Sequence, residues 1–125
     1  MISIVDDDTS AREGITDLLR SVGYSAQAFG RPDDFLRSAR IDDTDCLITD
    51  MRMPGMTGLE LHTRLIAAGK RIPTIVITAY PQEPDRLRAE SAGVLGYLAK
   101  PCDEERLFAC IRSALDGKRD HGRSS

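Results

Sequence analysis

Cysteine is scarce in this 125-residue chain: there are three (Cys46, Cys102 and Cys110), an odd number with no C-x-x-C spacing. That excludes a disulfide framework and a cysteine-ligated zinc site. Aromatic residues make up only 5% and tryptophan is absent. No apolar run approaches the ~20 residues of a membrane span. The opening Met1-Ile2-Ser3 lacks the basic stretch of a signal peptide. Basic charge is not in excess either: Lys and Arg number 17 against 20 Asp and Glu, a net charge of −3. The chain therefore does not read as an electrostatic nucleic-acid binder. Gly-x-Gly-x-x-Gly and Walker-A phosphate loops are also missing. What remains is 41% hydrophobic and 30% charged, at a length that suits one domain of roughly 100–150 residues. The expectation is a small acidic domain of a reducing, cytoplasmic compartment.

Apolar runs of strand length alternate with stretches of helical period. Ile2–Val5 stops at Asp6-Asp7-Asp8, and the pattern Ser10-x-x-Glu13 predicts a capping box ahead of a helix whose apolar face is Ala11, Ile15, Leu18, Leu19 and Val22. Gly23 supplies its stop. A weaker strand spans Ser25–Phe29, and Pro32 opens a second helix. Cys46–Thr49 runs into Asp50, a turn-rich loop follows, and Gly58–Ala68 has helical period. Thr74–Thr78 reads as a strand buried on both faces. A short helix at Leu87–Ala92, a fifth strand at Val94–Leu98 and a last helix capped by Asp103 complete the pattern. Residues 118–125 are polar and without period, so 1–117 reads as the domain and 118–125 as a flexible tail or the start of a linker. Five strand–helix repeats imply an α/β fold: parallel strands joined by right-handed crossovers, with helices on both faces.

In such sheets ligands bind at the carboxyl ends of the strands. Those ends carry Asp6-Asp7-Asp8, Asp50, Thr78 and Lys100-Pro101. Clustered carboxylates repel unless a cation sits among them. Oxygen donors of this kind suit a hard divalent ion, Mg²⁺ or Mn²⁺. Thr78 can donate to a phosphoryl oxygen and Lys100 can pair with another. A carboxylate is a competent nucleophile for an acyl phosphate. The chemistry this set supports is metal-assisted phosphoryl transfer to an aspartate.

Taken together, Ile4-Val5-Asp6-Asp7-Asp8, the stretch Thr49-Asp50-Met51-Arg52-Met53-Pro54-Gly55-Met56-Thr57-Gly58-Leu59-Glu60-Leu61, Ile77-Thr78-Ala79 and Tyr97-Leu98-Ala99-Lys100-Pro101 resemble the receiver domains of two-component response regulators. The resemblance covers the chain to about Gly117 and is strongest to the nitrogen-fixation regulator type, which carries a helix-turn-helix output. It implies the flavodoxin-like doubly wound fold with sheet order 2-1-3-4-5. It also implies Asp50 as phosphoacceptor, with Asp6, Asp7, Asp50 and the backbone carbonyl of Arg52 around Mg²⁺ (or Mn²⁺). Thr78 and Tyr97 would be the switch residues, Lys100 would contact the phosphoryl group, and Pro101 would follow a cis peptide bond. The implied partner is a histidine kinase or phosphotransfer protein, with a phosphorylation-dependent dimer through the fourth-helix, fifth-strand and fifth-helix face. Neither a membrane nor direct nucleic-acid binding is implied for this segment, so a transcriptional role would need a further domain or a separate partner. Enzymatic activity would be at most weak self-dephosphorylation.

Competing readings are sharply testable. Asp6-x-Asp8-x-Ser10 superficially matches a haloacid-dehalogenase-type phosphatase with Asp6 as nucleophile, but leaves Asp50 without a role. A flavin module would need a hydroxyl- and glycine-rich phosphate loop where the acidic triplet stands. Asp8 reads as a helix cap, and His62 reads as packing on its helix. Cys46 and Cys110 read as small core residues. Arg52 and Tyr80, unusual for the family at two residues beyond Asp50 and Thr78, are expected to flank and shield the phosphoryl group. Cys102 has no assigned role.

Overall fold

A computed structural model describes the backbone of residues 1–124 and the side chains of residues 1–117. The strands are β1 (Ile2–Val5), β2 (Ala26–Phe29), β3 (Cys46–Asp50), β4 (Thr74–Thr78) and β5 (Gly96–Ala99). The helices are α1 (Thr9–Ser21), α2 (Pro32–Leu36), α3 (Gly58–Ala67), α4 (Glu83–Ala92) and α5 (Glu104–Ser124). All five strands are parallel in the order β2-β1-β3-β4-β5. This is the doubly wound architecture the strand–helix alternation implies. Of the tail expected at 118–125, residues 118–124 fall on the last part of α5, and their side chains and all of residue 125 lie outside the described residues.

Strand alternation sends one side-chain set to each face of the sheet. Ile2, Ile4, Cys46, Ile48, Ile75 and Ile77 pack with Leu19 of α1 and with Leu107 and Ile111 of α5. Val5 and Leu47 point the other way, onto Phe35 of α2 and Leu61 and Leu65 of α3. The near-continuous apolar runs of β3 and β4 are thus needed on both faces, and both strands are buried throughout.

Several local boundaries differ from the sequence expectation, each for a physical reason. Helix α1 is capped by Asp8, whose carboxylate accepts from the Ser10 and Ala11 amides at 3.0 and 3.4 Å, and not by a Ser10–Glu13 box. The reciprocal box sits instead at α3, where Thr57 and Glu60 satisfy each other's backbone amides at 3.1 Å. Helix α4 begins at Glu83 rather than Leu87, because Pro84 in its first turn is compatible with helix rather than a break. Strand β5 starts at Gly96, since the Val94 amide closes the C-terminal turn of α4 onto Ala89 through left-handed Gly93.

Candidate functional site

The register brings the expected residues to one edge of the sheet. Val5 pairs with Thr49, so Asp6 lies level with Asp50 at the ends of the two central strands. Asp50 pairs with Ile77, and Thr78 with Ala99, which places Thr78 and Lys100 one step further along β4 and β5. Carboxylate oxygens of Asp6, Asp7 and Asp50 lie within 4.8 Å of one another. Asp6 and Asp50 are buried, whereas Asp7 is exposed and faces a cleft of about 500 Å³ that also has Arg31, Met53 and Met56 in its walls.

Lys100 reaches into this cluster. Its Nζ donates to Asp6 Oδ2 at 2.9 Å and stands 3.5 Å from Asp50 Oδ1. Burial pushes the Asp50 carboxyl up from its ordinary 3.8 to about 6, and the neighbouring Asp6 charge adds to that, with Lys100 opposing both. Burial alone pulls the Lys100 ammonium down, but its hydrogen bond to Asp6 and the Asp6 and Asp50 charges outweigh this, so the net shift is upward. One ammonium facing three carboxylates leaves an excess of negative charge. Hard oxygen donors with that excess fit a divalent cation of the Mg²⁺ or Mn²⁺ class.

This balance sets a pH dependence. Between 3.8 and about 6, folded Asp50 holds a proton that the unfolded chain has released. In the absence of divalent ions, stability therefore falls as pH rises through that window and levels off above it. Saturating Mg²⁺ should flatten or reverse the slope, because the cation and the proton compete for the same oxygens. Thermal melts at several pH values with and without Mg²⁺ check this; identical slopes would contradict it.

Thr78 ends β4 almost wholly buried, and its Oγ1 accepts from the Tyr80 amide at 3.1 Å, leaving its own proton to give. Tyr97 is half-buried on β5, and its hydroxyl accepts from the Gln82 amide, at the N-cap of α4, at 3.2 Å. The Gln82 side chain does not cap α4, and the Tyr97 hydroxyl is one of the groups that hold that end. The Lys100–Pro101 peptide bond is cis.

The expected shield of Arg52 and Tyr80 is not what the structure shows. Arg52 Nη2 binds the buried Asp85 carboxylate of α4 at 2.7 Å, because a buried carboxylate demands a charged partner more strongly than the open cleft does. Tyr80 is 74% exposed and so encloses nothing. His62, expected as packing, is buried and bridges three elements: its ring nitrogens lie 3.0 Å from Thr74 Oγ1 and from the Ala92 carbonyl. Cys46 is buried as expected, with its thiol pushed up to about 12 chiefly by that burial. Asp8, spent on capping α1, is unavailable as the acid of the phosphatase reading.

One positioning residue was not singled out in the sequence. Gly58 opens α3 against the end of β3, where an added Cβ would lie 2.5 Å from the Asp50 carbonyl oxygen.

The family model for the response regulator receiver domain matches residues 2–112. Nodulation protein W of Bradyrhizobium diazoefficiens is 36% identical over 119 residues, covering 95% of this chain and 52% of that protein. The transcriptional regulatory protein FixJ of Azorhizobium caulinodans is 34% identical over 122 residues, covering 98% of this chain and 58% of that protein. The chain thus spans about half the length of the curated relatives it matches. The solved structure of response regulator StyR superposes with a TM-score of 0.86 at 40% identity, covering 98% of this chain and 63% of that one.

Proposed function

Because the chain belongs to the response regulator receiver family of two-component systems, we propose that Asp50 is its phosphoacceptor and that the donor is the phosphohistidine of a histidine kinase or phosphotransfer protein. The observation that carries this is the convergence of Asp6, Asp7 and Asp50 with Lys100 at the ends of β1, β3 and β5. A phosphatase acting through Asp6 has no support: that carboxylate is fully buried and held by Lys100 and the Asp8 amide.

A carboxylate oxygen of Asp50 attacks phosphorus in line as the bond to the donor nitrogen breaks, and the bonding pair leaves with the imidazole. Asp6, Asp7, Asp50 and the Arg52 carbonyl would hold Mg²⁺, which when bound offsets the carboxylate charge against the incoming phosphoryl oxygens. Lys100, already 3.5 Å from Asp50, turns from Asp6 to a phosphoryl oxygen. Thr78 donates its hydroxyl proton to another and, in moving, gives up the Tyr80 amide it now accepts from. The 79–82 segment then shifts, and the Tyr97–Gln82 bond carries that shift to the N-terminus of α4.

The surface so moved has partner character. Leu87 of α4 and Leu95 before β5 are 50% and 40% exposed, and Tyr80 is exposed as well. We assign this α4–β5–α5 face to output, through a phosphorylation-dependent dimer. We take residues 1–117 as the receiver and the cytoplasm as its place. No helix among the described residues is long and apolar enough to cross a membrane. Any control of transcription would come through a further domain or a separate partner.

Incubation with a labelled small acyl phosphate tests the assignment. Wild type should take up label only with Mg²⁺ or Mn²⁺, and Asp50→Asn should take up none while keeping its fold. Undiminished labelling of Asp50→Asn would overturn it.

A further inference from the structure

Asp6 is held at every polar atom. Its amide donates to the Phe29 carbonyl at 3.1 Å, its Oδ1 accepts from the Asp8 amide at 3.0 Å, and its Oδ2 accepts from Lys100. The fourth atom, its carbonyl oxygen, accepts from Arg12 Nη1 at 2.7 Å. The other arm of that guanidinium, Nη2, reaches Thr9 Oγ1 at 3.4 Å. Arg12 is itself fixed on the first turns of α1: its amide donates to the Asp8 carbonyl, and its carbonyl accepts from the Thr16 hydroxyl at 2.7 Å.

Gly30 completes the arrangement from the other side. It follows β2 and is not among the glycines with positive φ, so the backbone there does not require glycine. The space does. A Cβ added at Gly30 would lie 3.2 Å from Arg12 Nη1, and its three nearest heavy atoms all belong to that guanidinium.

We propose that Arg12 is a positioning residue for the acidic pair and that Gly30 keeps open the space it occupies. The Asp6 carbonyl and the Asp7 amide share one rigid peptide plane. Fixing that carbonyl fixes the direction from which Asp7 presents its exposed carboxylate to the site. The planar two-armed guanidinium spans Asp6 and Thr9 together, which an ammonium on a flexible stem does not do. Its positive charge also offsets the repulsion among Asp6, Asp7 and Asp8, holding the loop in shape before a cation enters. This inference rests on the reading that Asp6, Asp7 and Asp50 hold a divalent cation.

Calorimetric titration with Mn²⁺ of the wild type, Arg12→Ala, Arg12→Lys, Gly30→Ala and the Arg12→Ala/Gly30→Ala double variant tests it. Amide hydrogen exchange at Asp7 and Asp8 in cation-free protein is measured in parallel. Groups that orient a metal ligand typically contribute about 10–100-fold in affinity, so Arg12→Ala should weaken Mn²⁺ by at least about tenfold and speed exchange at both amides. Arg12→Lys should recover only part of the affinity. Gly30→Ala, which leaves every charge in place, should weaken binding less than Arg12→Ala and add nothing to it in the double variant. It also decides the matter if Arg12→Ala fails to fold. Wild-type affinity and exchange in both Arg12→Ala and Gly30→Ala would overturn the inference, as would a Gly30→Ala effect that persists undiminished without Arg12. A wild type that takes up no Mn²⁺ would instead overturn the cation reading and this inference with it.

Discussion

Lys100→Met is expected to destabilise the cation-free protein more than any other single change at the site. Asp6 is fully buried, and Lys100 is the charged partner of its Oδ2. Removing one member of a buried ion pair typically costs about 3–5 kcal/mol, because the other charge stays desolvated. The exposed Asp7 side of the site lets some water in, so the lower end of that range applies. Asp50, 3.5 Å from the same ammonium, loses the group that opposes its upward shift and should titrate still higher. The methionine chain keeps the apolar volume, so lost packing does not explain the effect. Saturating Mg²⁺ should restore much of the stability, since a cation among the carboxylates replaces the missing charge. Phosphoryl uptake should stay low even then, because no ammonium remains to meet the phosphoryl oxygen. Urea unfolding with and without Mg²⁺, followed by labelling of the refolded variant, separates the two effects. Wild-type stability without cation would contradict the account.

Gly58→Ala is expected to have the second largest effect, through geometry rather than charge. The added methyl would sit 2.5 Å from the Asp50 carbonyl oxygen and 3.1 Å from Thr49 Cγ2, so backbone must move. That movement is resisted: the Gly58 amide donates to the Met51 carbonyl at 2.9 Å, and the Thr57–Glu60 box pins the start of α3. Overpacking of this kind costs about 1–3 kcal/mol. The displaced group is the backbone of Asp50, the proposed phosphoacceptor, and a misplacement of ~1 Å can cost about a hundredfold in rate. Phosphoryl uptake by Gly58→Ala should therefore fall far more than its stability does. Equal uptake by variant and wild type would show that α3 does not position Asp50.

The sheet and its polar edge were legible because their signals are local and periodic. Continuous apolar runs mark β3 and β4, and acidic, hydroxyl and ammonium residues follow the strands directly. Contacts that depend on two distant segments were not legible. Nothing in the sequence near Arg52 shows that its guanidinium meets Asp85, 33 residues on, rather than the site. Gly30 and Gly58 look like ordinary turn glycines until a neighbouring arginine or carbonyl fills the space beside them. The Ser10-x-x-Glu13 pattern misled, because Asp8 two residues earlier takes the Ser10 amide that the Glu13 carboxylate would need. Pro81 and Pro84 hid the start of α4, since proline marks a first helical turn as readily as a loop.

The most direct test of the central claim is to locate the phosphoryl group itself. Wild-type protein phosphorylated by a small acyl phosphate in Mg²⁺ can be trapped with borohydride, which reduces an aspartyl phosphate to homoserine, and the modified residue read by peptide mass spectrometry. The account predicts homoserine at position 50 and none at position 6. Modification at Asp6, or on a side chain other than Asp50, would contradict it.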